Sequence, residues 1–304
     1  MVTMLGIDTG GTYTDAVLFK KGQGVIQSAK SLTTKHDLSI GITDSCIQVL
    51  GDIGAKDIKL VSLSSTLATK AIVEKQGSPV CLILVGHSTS ALEKGNLKDA
   101  LDCDPCYFVD GGHKASGEKN APLDEEKIIG IAKRYKNKVS AFAVCGIFST
   151  RNKYHEHRIK NLLREHSDLP VILSSDLADS LDAPKRALTA LLNARLLIQI
   201  HHLIHAVQSF LDAHKISAPL MIVKGIGSLM HAQVALDKPV ETIMSGPTAS
   251  VISASYLTGT KNAFISDIGG TTTDIVIIKD GELILSPNGA TINGWNTMAE
   301  AIAL

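Results

Sequence analysis

One eleven-residue phrase occurs twice in this chain, near its two ends. The first copy reads Asp8-Thr9-Gly10-Gly11-Thr12-Tyr13-Thr14-Asp15-Ala16-Val17-Leu18. The second reads Asp267-Ile268-Gly269-Gly270-Thr271-Thr272-Thr273-Asp274-Ile275-Val276-Ile277, and seven of the eleven positions are identical. Each copy places an apolar strand ending in an acid before a Gly-Gly turn with hydroxyls and a second β-rich strand, which is the layout of a hairpin. Glycines at the turn allow positive φ angles and close backbone approach, and inward-pointing amides with threonine hydroxyls make an anion cradle. A carboxylate at the strand end would repel a phosphate, but it suits a hydrated Mg²⁺ riding on that phosphate. Either copy alone reads equally well as an ordinary tight hairpin. The pair reads as two cradles gripping one polyphosphate from both sides.

Length and composition agree with a duplicated architecture. A chain of 304 residues, 44% hydrophobic, can bury large cores and divide into two domains. The expected partition is 1–183, carrying the first hairpin, and 184–304, carrying the second. Lys plus Arg and Asp plus Glu are equal at thirty each, and no basic block offers a nucleic acid footprint. The first strand begins at once with no positively charged leader, which points to a cytoplasmic protein. The apolar stretch from Ala187 to Val207 is interrupted by Asn193, Arg195, Gln199, His201, His202 and His205, so it is expected to be a buried or amphipathic helix and not a membrane span. Of five cysteines, Cys103 and Cys106 form the one close pair, weak support for a metal site and read as structural or incidental.

Apolar β-type runs alternate with helical patterns along the chain, the signature of α/β layers. Strands are expected at Thr3–Asp8, Thr14–Phe19, Gly24–Ala29, Ile58–Ser62, Pro79–Val85, Ala141–Phe148, Pro170–Leu173 and Pro219–Val223. Helices are expected at Ser39–Leu50, Leu67–Glu74, Asp124–Lys136 and Asn152–His166. A long helix is opened by Pro184, and another runs from Ser245 to about Leu257.

The duplicated hairpin resembles the paired phosphate signature of the actin, sugar kinase and heat-shock chaperone ATPase superfamily, in which ATP lies between two duplicated α/β domains. A narrower resemblance is carried by several segments in order. They are Ser64-Ser65-Thr66-Leu67-Ala68-Thr69-Lys70-Ala71 with Lys75-Gln76-Gly77, Phe148-Ser149 followed by His155-Glu156 and Arg158, Leu173-Ser174-Ser175, Asn193-Ala194, and Ser245-Gly246-Pro247. Together these are similar to the hydantoinase/oxoprolinase family across essentially the whole chain. The resemblance implies an α/β, actin-like ATPase (ribonuclease H-like) architecture with duplicated phosphate-binding hairpins. It also implies an ATP-dependent hydrolase subunit that opens a cyclic amide of the hydantoin or 5-oxoproline type through carbonyl phosphorylation, with ATP and Mg²⁺ as cofactors. The implied partner is a second hydantoinase subunit of the B type, or an equivalent domain. Two other readings stay open: a small-molecule kinase of the same superfamily, and a non-catalytic nucleotide-sensing or assembly protein.

Under this resemblance, Asp8 and Asp267 organise Mg²⁺, directly or through water, and the attacked phosphate. Gly10, Gly11, Thr12, Gly269, Gly270 and Thr271 surround the phosphates. Thr14, Asp15, Thr273 and Asp274 either tie the hairpins together, the favoured reading, or reach the nucleotide. Thr66 and Thr69 sit where a strand enters a helix and serve as caps or as substrate contacts, with capping favoured. Ser245 and Gly246 open a helix that is another candidate substrate contact. His201 and His205 share a helical face, but no Glu-x-x-His partner accompanies them, so packing or exposure is favoured over metal ligation. His155 and His157 read as features of a helix start.

Three departures stand out. Lys70 occupies a position where the family pattern has Asn. Gly225-Ile226-Gly227-Ser228 places Ile226 where relatives carry a polar turn. The chain stops at Leu304, before the glycine-rich region expected to complete the adenosine side, which implies a fragment or incomplete nucleotide binding and little turnover by the chain alone.

Overall fold

The computed structural model describes residues 2–34, 36–51, 53–268 and 273–303. The chain packs as two compact units, both discontinuous in sequence. The first comprises Met1–Glu74, Gln199–Ala290 and Glu300–Leu304, and the second comprises Lys75–Ile198 and Thr291–Ala299. Segments from both sides of residue 183 therefore enter each unit.

The first unit is built on a six-stranded sheet in the order Leu229–His231, Leu220–Val223, Ile58–Ser65, Thr3–Thr9, Tyr13–Lys20 and Gly24–Leu32. Thr3–Thr9 runs antiparallel to Tyr13–Lys20 and parallel to Ile58–Ser65, which in turn is parallel to Leu220–Val223. Three antiparallel strands followed by parallel ones make the ribonuclease H-like α/β arrangement. Period-two alternation places Leu5, Ile7, Ala16 and Leu18 in the core. Helix Leu38–Leu50 buries Ile42, Cys46 and Val49, and Asp37 caps it by accepting the Ser39 amide at 2.9 Å. The third strand runs three residues past its expected end at Ala29, to Leu32, because it pairs with Tyr13–Lys20 along its whole length.

A second, antiparallel sheet of this unit holds Ala263–Ile268, Thr273–Lys279 and Glu282–Leu283. Its inner face packs Val276 and Ile278 with Val251 and Ile302. Its outer face leaves Phe264, Ile268, Ile275 and Ile277 exposed. The glycine-rich turn beside it is required sterically. A Cβ on Gly225 would strike the Ile243 carbonyl, and Gly227 sits at φ +83°.

The second unit carries an all-parallel sheet in the order Cys106–Val109, Val80–Val85, Ala141–Gly146 and Val171–Leu173. Every residue of Val80–Val85 and Ala141–Gly146 is buried, as expected for parallel strands covered on both faces. Helices Glu125–Tyr135 and Tyr154–His166 contribute Ile128, Ile131, Ile159, Leu162 and Leu163 to this core. Asp124 caps the former by accepting the Lys127 amide, with acids in the first turn and Lys133 and Arg134 in the last, complementing the helix dipole. The strand from Ala141 stops at Gly146 instead of Phe148, since Phe148 turns the chain at φ +51°.

The long helix spans Ala183–Ala213. It is the one helix among the described residues long and apolar enough to cross a membrane by length and composition, but 72% of its most apolar window is buried inside the chain. It is a core helix. Its N-terminal part anchors a buried polar network in the second unit, where Arg186, 1% exposed, donates to Gly146 O, Ser149 Oγ, Ser174 Oγ and Ser180 O. Beside it, the fully buried Glu156 accepts from the Gly146 and Ser175 amides and from both Ser174 and Ser175 hydroxyls. Several segments that carry the family resemblance thus meet in one structural network.

His155 belongs to the same unit. It is 2% exposed and its Nδ1 accepts the Gly112 amide at 3.0 Å. Burial, with the His113 and Lys119 charges adding to it, pushes it down to about 4. Because the unfolded chain takes up the proton that the fold refuses, stability should fall as pH drops from about 6.5 to about 4, by on the order of 3 kcal/mol for this group. Denaturant midpoints measured across that range check it. A flat profile would show that His155 protonates freely in the folded protein.

Candidate active site

The described site residues cluster in the first unit, around the Gly10–Gly11 turn. Cross-strand pairing sets Asp8 opposite Asp15 and beside Ser64. The Ser64 hydroxyl donates to Asp8 Oδ1 at 2.6 Å, fixing the carboxylate at the strand end. Burial raises the Asp8 carboxyl above the ordinary range against the pull of that hydrogen bond, and the charges of Asp15 and Asp267 raise it further. Asp8 and Asp267 therefore share one electrostatic neighbourhood. Asp267 stands opposite Asp274, whose carboxyl is raised by burial and then by Asp267. Asp15 is partly neutralised by Lys30 at 3.3 Å.

The turn between the strands is closed by the Gly10 amide donating to Tyr13 O at 2.9 Å. Both glycines have close neighbours, backbone at Gly10 and the flexible end of a side chain at Gly11. A Cβ on Gly10 would lie 3.0 Å from Tyr13 O, and one on Gly11 would lie 2.8 Å from Lys70 Nζ. The Thr66 hydroxyl lies 3.8 Å from the same Gly10 position, and among the described residues it takes no hydrogen-bond partner. Thr12 is exposed. Thr14 is buried, and its hydroxyl pairs with Thr33 at 3.0 Å, so it ties the hairpin to the following segment.

The helix after Ile58–Ser65 is capped differently from expectation. Thr66 makes no side-chain cap; Ser65 Oγ accepts the Leu67 amide and donates to Thr9 O. Ser65 and Ser64 are site-building residues that sequence reasoning passed over. Both stand in a segment that carries the family resemblance, as a hydroxyl pair closing an apolar strand, but the sequence alone assigns them no role. Ser245, expected as a substrate contact, is fully buried, donates to Ser65 O and accepts the Ser65 amide. Gly246 admits the Thr66 methyl, which a Cβ would meet at 2.5 Å. Thr69 Oγ1 accepts the Met244 amide at 3.0 Å. Ser245 and Gly246 join the helix Ser245–Thr258 to the Ser65–Thr66 segment, Thr69 ties helix Leu67–Val73 to Met244, and the Ser245 and Thr69 hydroxyls are engaged within the fold.

Of the second hairpin, Thr273 is exposed at the start of its strand, while Gly269, Gly270 and Thr271 lie outside the described residues. The histidines of the long helix hold no metal cluster among the described residues. His201 pairs with Leu236 O, and His205 with Ser209. Cys103 and Cys106 are free thiols.

A magnesium-bound polyphosphate fits these residues. Glycines make the turn, the Thr66 hydroxyl beside it has no hydrogen-bond partner among the described residues, and the Asp8 and Asp274 carboxyls, raised by burial and further by neighbouring carboxylates, are ones a divalent cation would hold in the ionised form.

Residues 4–167 match the family described as the hydantoinase/oxoprolinase N-terminal region, and residues 186–304 match hydantoinase/oxoprolinase. The acetophenone carboxylase gamma subunit of Aromatoleum aromaticum is 26% identical over all of this chain and 46% of its own length. The caprolactamase subunit alpha of Pseudomonas jessenii is 26% identical over 91% of this chain and 43% of its own. The chain thus spans about half the length of the curated relatives it matches. Among solved structures, nucleotide-free acetone carboxylase superposes over 99% of this chain and 47% of its own, with a TM-score of 0.86 at 20% identity. The ATP-dependent caprolactamase of Pseudomonas jessenii covers the same shares with a TM-score of 0.78 at 23% identity. Both likenesses establish the fold.

Proposed function

The chain belongs to the hydantoinase/oxoprolinase family, and we propose that it is the ATP-using subunit of a cytoplasmic enzyme that opens a cyclic amide through carbonyl phosphorylation. The observation that carries this reading is the Gly10–Gly11 turn directly after Asp8, whose carboxyl is fixed by Ser64 and feels the charge of Asp267, the matching acid of the second hairpin. One related protein is an ATP-dependent caprolactamase, and a ring amide is the substrate class we assign here, of the hydantoin or 5-oxoproline type. The proposed linear partition is 1–183 and 184–304, with a second, B-type subunit as partner.

When bound, Mg·ATP supplies an activated phosphoryl group. A lactam carbonyl is a poor electrophile; a phosphoryl group on its oxygen would open the carbon to water, ring opening would expel the ring nitrogen as an amine and leave an acyl phosphate, and hydrolysis of that anhydride would release the acid and inorganic phosphate. This chain's residues do the positioning. Ser64 orients the Asp8 carboxylate, Asp8 and Asp267 would hold Mg²⁺ through water, and the amides around Gly10, Gly11 and Thr12 would cradle phosphate oxygens. Gly269, Gly270, Thr271 and Thr273 are proposed to do the same from the other side.

ATP turnover by the intact protein with its partner subunit, against 5-oxoproline, hydantoins, caprolactam, acetone and simple sugars, tests the reading. Substrate-stimulated ADP release with a ring-opened acid is expected. A stable phosphorylated product would instead identify a kinase, and tight Mg·ATP binding with no stimulation would identify a sensing or assembly protein.

A further inference from the structure

Lys70 extends its side chain across the first turn. A Cβ on Gly11 would meet its Nζ at 2.8 Å, its Cδ at 3.1 Å and its Cε at 3.5 Å. The ammonium therefore occupies the space that the missing side chain of Gly11 leaves open. It arrives from helix Leu67–Val73, whose preceding residue Thr66 places its hydroxyl, unpartnered among the described residues, 3.8 Å from a Cβ built on Gly10. A cation and a hydroxyl from one helical turn thus converge on the two glycines.

Among the described residues Lys70 forms an ion pair with Glu74 alone, one turn along, at 3.5 Å. With Lys preceding Glu, the order is the weaker one for a helical pair, worth at most about 0.5 kcal/mol. Lys70 is 22% exposed and Glu74 36%, so the pair is half-sheltered and held loosely. Glu74 keeps the ammonium near the turn without binding it strongly enough to compete with a polyphosphate, whose oxygens form charge-assisted hydrogen bonds. The nearby acids Asp8, Asp15 and Asp267 make a second cation useful, because a tri- or tetra-anionic ligand must enter a neighbourhood that already carries negative charge.

We propose that Lys70 is the cationic phosphate contact of the first turn, tethered by Glu74 when no nucleotide is present and transferred to a terminal phosphate oxygen when one binds. The assignment rests on the nucleotide reading above and adds to it a charge where the family pattern has a neutral amide. Binding of the phosphates, not of the nucleoside, is what Lys70 controls.

The test uses the intact protein with Mg·ATP, inorganic tripolyphosphate and adenosine. Lysine acetylation read by mass spectrometry should label Lys70 in the free protein, and Mg·ATP and tripolyphosphate should protect it while adenosine does not. By calorimetry, Lys70→Asn should weaken both phosphate ligands about tenfold, the loss shrinking as salt rises. Glu74→Gln, which frees the ammonium, should tighten them about threefold. If the native protein binds both ligands while Lys70 is unprotected and Lys70→Asn leaves both affinities unchanged, Lys70 is a surface residue and the assignment falls. If the native protein binds neither ligand, the nucleotide reading fails and this assignment with it.

Discussion

Asp8→Asn should lower substrate-stimulated ADP release by the intact enzyme about 10²–10³-fold, the size expected when one preorganised electrostatic group is removed from a phosphoryl-transfer site. It should do so without loss of stability. The Asp8 carboxyl is raised by burial and by the charges of Asp15 and Asp267, so the folded protein holds the ionised form less favourably than the unfolded chain does. An acid raised in this way destabilises the fold as pH climbs through its folded value. Asparagine carries no charge yet keeps an oxygen to accept the Ser64 hydroxyl. The variant's thermal midpoint should therefore equal or exceed the parent's, with a gain of up to about 1 kcal/mol. Turnover and thermal unfolding measured on one preparation decide the matter. Loss of both together would make Asp8 a structural residue, and unchanged turnover would remove it from the site.

The largest effect on stability should come from Glu156→Ala, about 4 kcal/mol. The substitution strands two backbone amides and two serine hydroxyls in a buried place, next to an arginine that shares Ser174 with the lost carboxylate. Glu156→Gln keeps one acceptor oxygen and should recover part of the loss. Trp295, the chain's only tryptophan, is buried in the same unit and donates to Asp99. Its fluorescence in guanidinium therefore reports the unfolding of that unit directly. A loss below about 1 kcal/mol would show that the network does not hold the unit together.

Some of this architecture could be read from the residues alone. The hairpins declared themselves because their chemistry repeats: an acid, two glycines and hydroxyls in fixed spacing leave few interpretations. The buried strands Val80–Val85 and Ala141–Gly146 were legible as continuous apolar runs, and the helix after Asp124 by its helical periodicity. The strand Cys106–Val109 was not, since four residues of mixed exposure give no period to detect. Ser245 and Gly246 carried the composition of a ligand contact. What the structure adds is their packing, with the Thr66 methyl seated against Gly246 and Ser245 bonded to Ser65, contacts between residues distant in sequence. The placement of Lys70 over Gly11 is of the same kind. Sequence inspection noticed an unexpected cation there, and only the packing of helix Leu67–Val73 against the hairpin says what it covers. Discontinuity of the two units was equally hidden, because local patterns do not record which distant strand completes a sheet.

That discontinuity dictates an order of events during synthesis. Once residue 173 has left the ribosome, all four strands of the second unit's parallel sheet are available. The first unit at that moment has Thr3–Thr9, Tyr13–Lys20, Gly24–Leu32 and Ile58–Ser65, but Leu220–Val223 does not yet exist to pair with the last of them. Ile58–Ser65 waits as an open sheet edge, a surface that other chains can pair with. The earliest-made strands are thus finished by later-made ones, and a ribosome halted before residue 220 should display an assembled parallel sheet beside an incomplete N-terminal one.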